Sequence, residues 1–265
     1  MESCITFKNL SIGYRPKHQL RVIASAVSAS LQSGELTCLI GANGVGKSTL
    51  LRTLCGFQPA LDGEILLQNQ PLSAYPAQQL ARQIGVVLTS RVDVPQLSVR
   101  EIVGIGRSPY TNFWGTLTLA DQQIVDEAIH QVGIPHLAQR SISELSDGER
   151  QKTMIAKALA QQTRIIILDE PTAFLDFPSK VETLQMLRRL AHDQHKAILL
   201  STHDVELALQ LADSLWLMEP GHLSIGTPRE LSQAGSLSRF IERDGIRYDK
   251  ENMKIEILPS FGHQP

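Results

Sequence analysis

Apolar and polar positions alternate along the chain in a way that divides it into short strands and longer helices. Residues 5–14 alternate loosely and predict an edge strand closed by Gly13-Tyr14, and residues 22–31 predict a second strand with small polar alternates. Leu36-Thr-Cys-Leu-Ile40 is short, apolar and ended by Gly41, as a buried strand is. Ser48 to Cys55 then reads as a helix that Gly56 stops. Asp62-Gly63 predicts a hairpin turn before Glu64-Ile-Leu-Leu67. Residues 76–84 carry a helical pattern, Gly85 to Leu88 a buried strand, and the pattern is helical from there to about residue 160. Ser98 with Glu101 spells a capping box, and Thr118 with Asp121 another. Ile124, Val125, Ala128, Ile129 and Val132 form one apolar stripe at helical spacing, which predicts a face packed on the core.

The second half is more regular. Residues 165–170 are a β-branched run ending in two carboxylates, Asp169 and Glu170. Pro178 opens a helix with Val181, Leu184, Leu187 and Leu190 on one face. Ala197 to Ser201 is the next strand and leads to His203; a helix from Val205 to Ala212 follows, then strands at Ser214–Met218 and Leu223–Ile225. This alternation predicts an α/β fold with a mainly parallel sheet and functional residues at the carboxyl ends of its strands. Near the end, Lys254-Ile-Glu-Ile-Leu258 predicts one more short strand.

With 265 residues, 42% of them hydrophobic, the chain is long enough for one large domain carrying a subdomain. A net charge of −2 without a long basic run argues against strong nucleic-acid binding. The three cysteines, Cys4, Cys38 and Cys55, have neither metal nor disulfide spacing; Cys38 and Cys55 fall in apolar stretches and are expected in the core. The first residues lack a signal-peptide pattern, and no uninterrupted apolar run reaches the roughly 18 residues of a membrane span. The expectation is a soluble cytoplasmic chain that needs another chain to reach across a membrane.

Gly41-Ala-Asn-Gly-Val-Gly-Lys47-Ser48 fits the P-loop pattern G-x-x-x-x-G-K-[ST] in the strand–loop–helix context that pattern requires. Gly41, Gly44 and Gly46 let the backbone turn and aim N–H groups at phosphate oxygens. Lys47 can reach the β- and γ-phosphates, and the Ser48 hydroxyl can hold Mg²⁺. Asn43 and Thr49 complete the expected binding set around this loop. Asp169-Glu170 follows its apolar strand as a Walker B pair does: Asp169 for the Mg²⁺ shell, Glu170 for the attacking water. Ser146-Asp-Gly-Glu149 precedes a helix expected from Arg150 to about Ala160 and reads either as plain N-capping or as a second anion site.

Leu145-Ser-Asp-Gly-Glu-Arg-Gln151 resembles the signature motif of ATP-binding cassette (ABC) ATPases and stands shortly before Asp169-Glu170, as in that family. Ala173 to Asp176 looks like the family's D-loop, Ser201-Thr-His203-Asp like its switch histidine, and Tyr14 like the aromatic that stacks on adenine. The likeness runs from Tyr14 to about residue 235. It implies a P-loop NTPase core with an antiparallel β subdomain and an inserted α-helical subdomain: residues 1–240 as the ATPase domain, about 90–160 as the insertion, and 241–265 as a C-terminal extension. It also implies two copies arranged head to tail, with ATP and Mg²⁺ held between Lys47 of one and Ser146, Gly148 and Glu149 of the other, and His203 at the γ-phosphate. Two positions depart from the family. Its signature is L-S-G-G-Q, whereas Asp147 and Glu149 stand here, acids expected to point away or pair with Arg150 or Arg52. Thr89 stands where the Q-loop glutamine is expected, with Gln96 a distant alternative.

Within the family, the stretch between Lys47 and Ser146 has room for a helical subdomain and none for a coiled-coil insertion, and the chain has a single P-loop and no span. That implies an importer-type ATPase subunit at the cytoplasmic face of a membrane, bound to multi-span permease subunits and served indirectly by a solute-binding protein. Glu101 to Tyr110 and Thr227 to Leu231 look most like cassettes of iron-siderophore, haem and cobalamin importers. An exporter cassette with separate membrane chains, a non-transport ABC ATPase and a P-loop kinase are the other readings.

Overall fold

The computed structural model describes residues 2–14, 21–88 and 96–258. In chain order its elements are β1 (Ser3–Tyr14), β2 (Arg21–Gln32), β3 (Leu36–Gly41), α1 (Lys47–Leu54), β4 (Asp62–Leu67), β5 (Gln70–Pro71), α2 (Ala77–Ala81), β6 (Ile84–Val87), α3 (Val99–Ile105), α4 (Leu119–Gln131), α5 (Asp147–Ala160), β7 (Ile165–Leu168), α6 (Phe177–Gln194), β8 (Ala197–Ser201), α7 (Val205–Leu211), β9 (Ser214–Glu219), β10 (His222–Gly226), α8 (Pro228–Gln233), α9 (Ser236–Ile241), β11 (Ile246–Asp249) and β12 (Lys254–Ile257).

A six-stranded sheet, ordered β10-β9-β3-β8-β7-β6, forms the centre. Its strands run parallel except β10, which pairs antiparallel with β9. β3, β7 and β8 are buried at every position, as strands covered on both faces must be. Their alternation divides the interior into two cores. Cys38, Ile40, Ile166, Leu168, Ile198 and Leu200 face the helical side, with α3 to α7. Leu39, Ile165, Ile167, Leu199 and Trp216 face α1 and the four-stranded antiparallel sheet β2-β1-β4-β5. Phe7 of that sheet meets the fully buried Trp216 edge to face, ring centroids 5.5 Å apart, and so joins the two sheets. Cys38 and Cys55 are buried and free, and burial pushes both thiols up to about 12.

The helices α3, α4 and α5 pack on one another as an insertion between β6 and β7. Val125, Ala128, Ile129 and Val132 of the expected stripe are buried in it. Both expected capping boxes are formed: Ser98 Oγ accepts from the Glu101 N–H and Thr118 Oγ1 from the Asp121 N–H, while each carboxylate reaches back to its cap residue.

The structure corrects two strand readings. The stretch at 5–14 is not an edge: β1 lies inside its sheet, bonded to β2 on one side and β4 on the other. Its loose alternation comes from register shifts on either side of Asn9, which has a φ of 50°. Asp62-Gly63 is not a hairpin turn. Both residues belong to β4, and Gly63, with a φ of 86°, sits against the backbone of Asn9, where a Cβ would collide with the Asn9 carbonyl oxygen. The turn instead lies at Gln68 and Asn69, both with positive φ, between β4 and β5. The expected strand near the end pairs with a partner that the sequence pattern missed, β11, and that hairpin buries Tyr248.

Candidate functional site

β3, β8 and β7 are neighbours in the sheet, so the loops that leave their carboxyl ends emerge side by side. β3 runs into the glycine-rich loop and α1. Gly46 caps α1 with a φ of 115° and no side-chain hydrogen bond, which leaves the N–H groups of the first turn facing the loop. A Cβ on Gly46 would run into Ile23 of β2, and one on Gly41 into the Met218 carbonyl of β9, so both positions exclude a side chain by close approach. Lys47 is 5% exposed; its ammonium donates to the carbonyls of Gly41 (2.8 Å) and Ala42 (3.2 Å) and lies 3.5 Å from His203 Nδ1. Burial pulls its pKa below the ordinary lysine value, with Glu170 and Asp169 opposing that shift.

β7 delivers the two carboxylates. Asp169 is buried, and its Oδ1 accepts from Ser48 Oγ at 3.1 Å and from Ser201 Oγ at 2.7 Å. Glu170 has a φ of 50°, uncommon for a residue with a side chain, and its N–H donates to Ser201 Oγ at 2.9 Å. The Glu170 carboxylate lies 2.6 Å from His203 Nε2. The loop that carries His203 is anchored one residue later, where Asp204 accepts from Lys180 at 3.0 Å and Thr172 at 3.3 Å.

These residues surround a cleft of about 260 Å³, lined by Tyr14, Ile23, Asn43, Gly44, Gly46, Lys47, Ser48, Thr49, Glu170 and His203. Of the expected set, Gly41 and Asp169 lie just behind that lining. A larger groove of about 580 Å³ beside α4 is lined by glutamines, aliphatic side chains, Glu127 and Lys196 and gathers no motif residue, so size alone does not select the site. The Ser48 hydroxyl and the Asp169 carboxylate form the small all-oxygen set that Mg²⁺ takes from a protein when phosphates and water complete its shell. No cluster of three or more His, Cys, Asp or Glu side chains fit to hold a metal occurs among the described residues.

Ser146, Gly148 and Glu149 do not line the cleft. The helix they open, α5, begins at Asp147 rather than Arg150, with Ser146 as its N-cap. Glu149 Oε2 accepts from the Ser146 N–H at 2.9 Å and from its hydroxyl at 2.8 Å, and the Glu149 N–H donates to Ser146 Oγ at 3.3 Å. The N–H first and the hydroxyl second hold the Glu149 carboxyl below the usual range. The acid at this position is therefore turned onto its own helix end, not toward Arg52 or Arg150, whose guanidinium donates to the Leu145 carbonyl instead. Thr89 lies outside the described residues, and Gln96 is exposed in the turn before α3.

Three residues were missed in the sequence. Ile23 comes to the cleft from β2 and belongs to no local motif; Ser201, which opens the Ser201-Thr-His203-Asp stretch, comes to the carboxylates from β8 in a role of its own that the motif does not name. The signal for Ser201 was weak: a hydroxyl ending an apolar strand. Arg107, within the Glu101 to Tyr110 stretch that carries the importer likeness, is buried between α4 and α5.

Residues 24–173 match the family model described as ABC transporter. The chain is 41% identical over 244 residues to an uncharacterized ABC transporter ATP-binding protein of Methanocaldococcus jannaschii, covering 92% of this chain and 83% of that one. It is 33% identical over 263 residues to a petrobactin import ATP-binding protein of Bacillus anthracis, covering 99% and 92%. Among solved structures, an inward-facing ABC transporter of metal-chelate type superposes with a TM-score of 0.78 at 27% identity over 98% of each chain. Motif order, the convergence of loop, carboxylates and histidine, and these matches agree: the chain belongs to the ABC transporter family, as an ATP-binding cassette that hydrolyses ATP.

Proposed function

We propose that this cassette powers a membrane importer for a metal chelate, of the iron-siderophore, haem or cobalamin kind. The observation that carries the ATPase part is the meeting of Lys47, Ser48, Asp169, Glu170 and His203 in one cleft. The import part draws its support from the petrobactin importer's cassette, alike over nearly the full chain, and from the metal-chelate transporter structure.

In this mechanism Tyr14, 39% exposed at the end of β1, offers its ring to adenine. Loop N–H groups and Lys47 bind the phosphates, with Asn43 and Thr49 at the loop's rim and Glu149 set behind Ser146. Ser48 and Asp169 would hold Mg²⁺, whose charge offsets that of the phosphates. Glu170 orients the attacking water and accepts its proton, and His203 leaves Glu170 for the γ-phosphate. A second copy supplies Ser146 and Gly148 across a two-fold axis. The 1–240 segment is the working unit, with 241–265 appended to it. No helix among the described residues is long and apolar enough to cross a membrane. In this reading the cassette works at the cytoplasmic face through multi-span permease subunits, which the insertion meets. Nucleic acid has no part in this reading.

Glu170→Gln tests it. Turnover is expected to fall at least about a hundredfold while ATP affinity stays within about threefold, because the phosphate contacts remain. Near-normal turnover would remove Glu170 from the reaction.

A further inference from the structure

We propose that Ser201 is a positioning residue for hydrolysis: its one hydroxyl sets the carboxylate of Asp169 and the main chain of Glu170 together. The idea rests on the assignment of those two acids given above.

The geometry is specific. β8 lies between the P-loop strand β3 and the carboxylate strand β7. Ser201 is its last residue, opposite Leu39 in β3 and one past Leu200, which pairs with Leu168. It is fully buried. A serine hydroxyl has one proton to give and lone pairs to receive. Here the proton goes to Asp169 Oδ1 at 2.7 Å, and a lone pair accepts the Glu170 N–H at 2.9 Å. Both contacts fall where placement matters. Oδ1 also accepts from Ser48, so the Ser201 and Ser48 hydroxyls together hold that one carboxylate oxygen. Glu170 holds a φ of 50°, which a side chain disfavours unless the surroundings enforce it. The bond from its N–H to Ser201 is such an enforcement, and it aims the Glu170 side chain at His203 Nε2, 2.6 Å away. Ser201 therefore links the group that would hold the metal to the group that would handle the water, without touching substrate.

A threonine and a valine at this position have nearly the same volume and differ by the hydroxyl, so Ser201→Thr and Ser201→Val separate hydrogen bonding from packing. In the purified full chain, Ser201→Val is expected to lower kcat about tenfold or more, as loss of a buried hydrogen bond shared by two catalytic groups does. Its KM for ATP is expected to stay within about threefold, since the phosphate contacts remain. Ser201→Thr restores most of the turnover. A readout independent of hydrolysis is Mn²⁺ affinity in the presence of a non-hydrolysable ATP analogue, followed by electron paramagnetic resonance. Ser201→Val is expected to weaken it several-fold and Ser201→Thr to leave it near wild type.

Equal losses in the two variants, or a valine variant with normal kcat and normal Mn²⁺ affinity, would overturn the proposal. Glu170→Gln run in parallel separates the two failures. If that variant still turns over, the assignment of the acids falls; if it is dead while Ser201→Val is normal, only the role of Ser201 falls.

Discussion

Arg107 is 5% exposed and carries a permanent charge. Its Nε donates to Asp121 at 2.9 Å, one terminal nitrogen donates to the Ala160 carbonyl and the Gln162 side chain at 2.9 and 3.0 Å, and its Cζ lies 4.1 Å from the centre of the Tyr110 ring. The start of α4, the end of α5 and the turn after α3 thus meet on one guanidinium. Lysine has neither the fork nor the flat face to replace it. Arg107→Ala is expected to destabilise the fold by about 3–5 kcal/mol, because it breaks a buried pair, and Arg107→Lys to recover only part of that, both read from urea denaturation midpoints. Loss of less than about 1 kcal/mol in the alanine variant would be the surface-pair result and would refute this role. The role of Arg107 was not legible in the sequence because its partners lie on other elements, and the same holds for Ile23 and for the hydroxyl of Ser201. Lys47, Ser48, Asp169 and Glu170 were readable because their spacing within single loops carries the chemistry.

Capping boxes open α3, α4, α5 and α8. In each, the carboxyl is held below its ordinary pKa by bonds from the cap residue, chiefly the hydroxyl for Glu101 and Asp121 and the N–H for Glu149 and Glu230. A carboxyl whose folded pKa is depressed stabilises above its unfolded value and loses that contribution as pH falls through the folded one. The urea midpoint is therefore expected to hold steady above about pH 5 and to drop below about pH 4. Glutamine at 101, 149 and 230 keeps the boxes without the titration, and that triple variant should show a shallower acid decline. An unchanged slope would mean that other carboxylates dominate. The boxes at Ser98 and Thr118 could be read in advance because each is complete within four adjacent positions. Ser146 with Glu149 uses the same letters and was readable as an N-cap; the bonds place the helix start at Asp147, three residues before the expected Arg150. Strand position was harder: whether β1 lies at an edge depends on β4, some fifty residues on, and no local pattern carries that.

In the single chain, the α5 start does not line the cleft that holds Lys47. Hydrolysis by a pair of copies accounts for both halves. ATP is expected to shift the Glu170→Gln chain from 29.3 kDa to twice that mass in light scattering after gel filtration. Lys47→Ala or Ser146→Arg added to it should keep it monomeric, since a bulky cation blocks the facing helix end. Mixing the two variants should restore some dimer, because a mixed pair has an intact site. Dimers that form in spite of Ser146→Arg, or a mixture that stays monomeric, would show that Ser146 does not complete the site.

The Phe7–Trp216 contact has a mechanical consequence for that cycle. Tyr14 ends the strand that carries Phe7, and Trp216 lies on β9, whose Met218 backs the glycine loop. In the proposed function, the part that would take the base is thereby riveted to the part that would take the phosphates. In the proposed cycle, a movement of the helical insertion is therefore expected to leave the spacing between the two unchanged, so that it is passed to the permease instead of being absorbed in a stretched nucleotide.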